Sequence, residues 1–175
     1  MKSLIATICI LGMIGMVLGM TAKAAEEATV AATVMVRLLS VSVTDGQVAY
    51  GTMEQNATKS TIPVTGLNDQ QTVTNIGNYT EAFNIKGHNS ANWTLGATAG
   101  SDVYVHLFCN GSGATSGPCV NPPTGYTALT ADYATFATST AVNGTATLNL
   151  QINTPNPSTV FTQQSVNVTL VAIAG

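Results

Sequence analysis

From residue 28 onward the chain alternates apolar and polar positions with the two-residue period of β-strands, and no helical period competes with it. The runs that carry the alternation are 30–43, 48–53, 72–75, 81–86, 93–99, 103–109, 134–139, 145–152 and 165–173, each bounded by turn-forming residues. Asp45-Gly46, between the first two runs, and Asn143-Gly144, before Thr145, supply the positive φ angles of a two-residue type I′ hairpin. Residues 99–102 are expected to join their flanking strands in the same way. Nine strands with hairpin links and no helix between them predict an all-β fold, an antiparallel β-sandwich of about 7–10 strands.

The first run contains a change of phase. Its apolar positions are even from Val30 through Ala32, Val34 and Val36 to Leu38, then odd at Leu39, Val41 and Val43. A one-residue shift exchanges the two faces of a strand, so a bulge at Leu38-Leu39, or a passage from one sheet to the other, is expected there. In 93–99 the inward face is read as Trp93, Leu95 and Ala97. In 103–109 both faces are largely apolar, which predicts a central strand whose aromatic side, Tyr104, His106 and Phe108, is covered by a loop or a partner. The last run places Val166, Val168 and Leu170 inward.

Ahead of these strands, residues 1–24 have the form of a secretory signal peptide: Lys2, an apolar stretch from Leu4 to Met20, and small residues at Ala22 and Ala24 before the cut. The alternative is a retained anchor, because about 17 apolar residues stand at the lower limit for spanning a bilayer. Cleavage leaves a single domain, 25–175, secreted or at the cell surface, with no membrane span and with Arg37, Lys59 and Lys86 as its only lysines or arginines against all eight carboxylates. Such a surface has too little basic charge to follow phosphates, so nucleic acid is not an expected partner. Only 7% of residues are charged, while Thr occurs 27 times, so solubility is expected to rest on hydroxyls and amides. Of three cysteines, Cys9 lies in the leader. Cys109 and Cys119 bracket a short Gly, Ser and Pro-rich loop and are expected to form a disulfide in an oxidising compartment.

Reaction chemistry is sparse. His88 and His106 have no third metal ligand in reach, and Asp102 and His106, four residues apart on one strand, would be about 13 Å apart. Ser101 and Ser116 sit in turns outside any Gly-x-Ser-x-Gly elbow, and the acids are dispersed rather than gathered into a calcium loop. No enzyme activity, cofactor or metal is therefore expected. Six Asn-x-Ser/Thr triplets permit glycosylation without predicting it. Tyr104, Phe108, Tyr126 and Tyr133 are candidates for a sugar-binding platform, against the alternative that their rings pack in the core.

Three segments carry a resemblance: 41–48 (VSVTDGQV), 71–78 (QTVTNIGN), and Asn84-Ile-Lys-Gly87 leading into the 93–100 stretch WTLGATAG. With the cysteine loop and closing strand they resemble small secreted prokaryotic β proteins of uncharacterised role, which implies an immunoglobulin-like sandwich and no catalytic residue. Residues 73–77 (VTNIG) are similar to a strand turn of TasA and camelysin type matrix proteins, whose subunits form fibres. Trp93-Thr-Leu95 resembles the Trp-x-Leu of Gram-positive wall-binding domains, which usually carry a second such motif. The expected function is a structural or adhesive protein that associates with itself or with other surface proteins, through a strand containing Val30, Val34, Val36, Leu38, Leu39, Val41 and Val43. The 28–43 segment is long and, Arg37 apart, lacks the features that protect strand edges. The alternative is an extracellular carbohydrate-binding module.

Overall fold

The computed structural model describes residues 29–63, 66–111, 119 and 125–175. Residues 1–28, with the expected signal peptide, and most of the loop between the cysteines, Ser116 included, lie outside the described residues. Residues 36–175 form one compact unit, and 29–35 belong to a separate one that precedes it.

Ten strands form among the described residues: β1 (Val41–Val43), β2 (Thr58–Ser60), β3 (Gln71–Asn75), β4 (Glu81–Gly87), β5 (Thr94–Leu95), β6 (Val103–Asn110), β7 (Thr127–Ala128), β8 (Ala134–Thr140), β9 (Thr145–Asn153) and β10 (Val168–Ala174). One sheet has the order β1-β3-β9-β6-β5, with β2 also paired to β9 and β7 to β6; the other has the order β10-β4-β8. The protein is thus an all-β, two-sheet sandwich. Every pairing is antiparallel except β5 with β6.

The core follows from the alternation. Val73, Phe108, Leu148 and Leu150 project from the first sheet onto Phe83, Ile85, Phe136 and Ala137 of the second, all of them buried. Phe108 and Phe136 meet edge to face at 6.4 Å, a geometry worth about 0.5–1.5 kcal/mol beyond the area they bury. Val168, Leu170 and Ala172 of β10 pack on the same cluster from one flank.

Several expectations are corrected. Residues 48–53 form no strand; side chains hold the chain just ahead of the segment and at Tyr50 instead. The Gln71 side chain bonds Gly46 N–H and Gln47 C=O, Lys59 Nζ bonds Tyr50 C=O, and Gly51 turns the chain at φ +72°. Asp45 and Gly46 do adopt positive φ, 65° and 69°, but no hairpin follows them. Asn143-Gly144 connects β8 to β9, which lie in different sheets, so it is a corner rather than a hairpin. The 99–102 link brings β6 back parallel to β5, and Ala97, expected inside, is exposed. The aromatic side of β6 is covered in two ways: His106 meets Tyr50 of the strandless 48–53 segment, as expected of a loop, whereas Phe108 lies in the core between the sheets. On the strand's other side Cys109 packs with Ile62, Cys119 and Tyr126.

The 30–43 run is a ladder only at β1, and the phase change marks where the ladder ends. Val41 and Val43 pack on the core. Ahead of them, Ile76 N–H still bonds Ser40 C=O and Asn78 N–H bonds Leu38 C=O, but the reciprocal bonds go to side chains. Ser40 N–H donates to Glu81 Oε1 at 2.7 Å and Leu38 N–H to Asn78 Oδ1 at 2.8 Å.

Candidate functional site

The most unusual surface of the chain is its N-terminal segment. Val30, Val34, Met35, Val36 and Leu38 are 89%, 93%, 82%, 81% and 58% exposed, and residues 29–40 belong to no strand. Leu39, at the phase change, is 37% exposed. Apolar side chains left in water in this way forgo about 1.5–3 kcal/mol each relative to burial.

The root of the segment is held firmly. Asn78 accepts from Leu38 N–H and donates Nδ2 to Val36 C=O at 2.9 Å, while the Arg37 guanidinium lies 3.9 Å above the Tyr79 ring centroid. These groups stand on the 76–80 corner that carries the chain from β3 to β4. Asn75 builds that corner: fully buried, it donates to Tyr79 C=O and Thr140 C=O and accepts from Gly77 N–H, at 2.8–2.9 Å. Gly77 is required because a Cβ there would collide with the Glu81 carboxylate and Leu38 C=O. Glu81, at the start of β4, is fully buried; among the described residues its Oε2 has no partner.

The remaining candidates are dispersed. Tyr104 is fully buried, donates to His88 C=O and stacks obliquely on Trp93; Phe108 is in the core. Tyr126 is half-buried against the disulfide cluster, and Tyr133 is exposed with Lys86 Nζ 4.7 Å from its ring centroid. The four rings expected to form a sugar platform therefore do not share one exposed face; Tyr104 and Phe108 pack in the interior. Cys109 and Cys119 form the expected disulfide, with Cα atoms 5.8 Å apart.

His106 is 1% exposed, its Nε2 is 3.0 Å from Tyr50 Oη, and burial lowers its pKa to about 4. Burial likewise pushes the Tyr50 hydroxyl above the usual phenol range. His88 bonds Thr169 Oγ1 at 2.8 Å. Asp102 instead bonds the 158–159 segment, where the Thr159 hydroxyl, its N–H and the Ser158 hydroxyl hold the carboxyl below the usual range.

No protein-family model matches the chain, nor does any curated protein or solved structure. Among the described residues no group of three or more His, Cys, Asp or Glu is placed to hold a metal ion, and no helix is long and apolar enough to cross a membrane. Two signals in the sequence pointed to the corner and the root: the resemblance of residues 73–77 to a strand turn and the phase change at Leu38-Leu39. Nothing in the alternation marked Asn78 or Glu81, whose side chains complete a half-finished ladder.

Proposed function

We propose that the protein is a secreted or cell-surface structural subunit, an immunoglobulin-like sandwich that acts by protein contact through its N-terminal segment. The carrying observation is the exposure of Val30, Val34, Met35, Val36 and Leu38 on a chain whose later strands bury their apolar faces normally. A segment that belongs to no strand and whose valines all stand at even-numbered positions is suited to join the sheet of another molecule. The scarcity of charge supports close packing of identical surfaces, since little repulsion opposes it. The similarity of residues 73–77 to a strand turn of fibre-forming matrix proteins agrees with this reading.

Size-exclusion chromatography and electron microscopy of the protein with and without residues 25–37 provide the test. The expected outcome is concentration-dependent assembly that disappears on truncation while the sandwich keeps its secondary structure. A monodisperse monomer that unfolds on truncation would refute the proposal, because the segment would then serve its own domain.

A further inference from the structure

The strand edges of the sandwich are not equivalent. β1 offers three residues behind a clamped root, and β5 and β7 two each. β8 is bulged against β4, and its Phe136 and Thr140 carbonyls accept from the Asn110 and Asn75 side chains. β10 differs from all of these. Its seven residues keep one unbroken register on β4 and contain no charge, proline or bulge, the features that ordinarily close an edge.

The direction of its main-chain groups can be worked out. Gly175 N–H bonds Thr80 C=O, so this pair is a hydrogen-bonded position of the same register. Alternation then turns Thr169, Val171 and Ile173 towards β4 and directs the N–H and C=O groups of Val168, Leu170, Ala172 and Ala174 to the outer edge. Among the described residues no strand pairs with that edge.

We infer that the outer edge of β10 is the acceptor for residues 30–36 of a second copy of the chain. This rests on the strand-mediated association proposed above and supplies its other half. Seven residues meet seven, and neither stretch has an ionisable side chain. The phases agree: in β10 the even-numbered Val168, Leu170 and Ala172 face the core, and in the segment Val30, Ala32, Val34 and Val36 are even, which leaves Ala31, Thr33 and Met35 for the outer face. With Val36 opposite Val168, both apolar rows lie on one face and extend the core.

Direction selects a second copy over the chain itself. The segment's root lies beside Asn78, and β1 runs away from the 76–80 corner, whereas β10 runs towards it. Copies stacked in the same sense present the segment of one antiparallel to β10 of the next. To reach its own β10, a chain would have to reverse before Arg37 and pair parallel.

Two edge variants of the full chain and one trapping experiment test the inference. Ala172→Pro removes an outward N–H without touching a bond to β4; Val171→Lys places a charge on the outer face that the segment would flank. Each is expected to reduce the assembled fraction by at least about tenfold while circular dichroism stays native. Mixed Thr33→Cys and Val171→Cys chains are expected to form a disulfide-linked heterodimer, because these positions face each other as a non-hydrogen-bonded pair about 4.5 Å apart. If a folded Val171→Lys assembles as wild type does and no such heterodimer forms, β10 is not the acceptor, although strand-mediated association would stand. A double Thr33→Cys/Val171→Cys chain that closes within a monomer also overturns the inference. If wild type never associates, both readings fail together.

Discussion

His106 shows how one side chain ties this sandwich to pH. Its ring is enclosed by Tyr50, 5.9 Å away edge to face, and by Tyr104 at 6.3 Å, and its Nδ1 has no partner among the described residues. Burial therefore favours the neutral ring and lowers the pKa from 6.5 to about 4. Between these values the unfolded chain binds a proton that the folded chain refuses. Stability is accordingly full above pH 6.5 and declines as pH falls towards 4, by up to about 3 kcal/mol at constant denaturant slope. Urea titrations across this range are expected to show the decline in wild type and a shallower one in His106→Gln. A parallel decline in both proteins would place its origin in other groups.

At the scale of elements, the sandwich depends on how strands pass between sheets, and the β3–β4 corner is the clearest case. The Asn75 side chain makes three hydrogen bonds there, acting as an extra piece of main chain in a buried turn. Asn75→Ala leaves Tyr79 C=O, Thr140 C=O and Gly77 N–H without these partners and is expected to cost about 2–4 kcal/mol, read as a lower urea midpoint. β3, β4, β6, β8 and β9 were legible in the sequence because each buries at least one face, and burial imposes the two-residue period. The hairpins were not legible. Asp45-Gly46 and Asn143-Gly144 specify local φ angles, but a local angle does not name the strand that the chain meets next. Residues 48–53 misled for a related reason: Val48 and Tyr50 do pack on the core, but Lys59 bonds the Tyr50 carbonyl, Gln71 holds Gly46 and Gln47 just ahead of the segment, and no ladder forms. The root of the N-terminal segment was half legible. The phase change located the break at Leu38-Leu39, whereas the bonds from Asn78 and Glu81 depend on a corner that only the folded chain brings near.

For the molecule as a whole, the shortage of charge sets the forces available for association. Apolar burial and main-chain hydrogen bonds remain, and both are insensitive to ionic screening. Assembly followed by light scattering is expected to change less than about twofold between about 20 and about 500 mM sodium chloride, whereas ammonium sulfate should lower the concentration at which it begins. A steep dependence on sodium chloride would instead indicate an interface built on ion pairs. The opposed directions of β1 and β10 have a mechanical consequence for such an assembly. Tension along a row of copies would act parallel to the joined strands and load their hydrogen bonds together, in shear, so that rupture requires many bonds to fail at once. A joint pulled across its strands would unzip one bond at a time. The same few residues would then yield a strong fibre from a weakly charged subunit, with its resistance set by the length of β10.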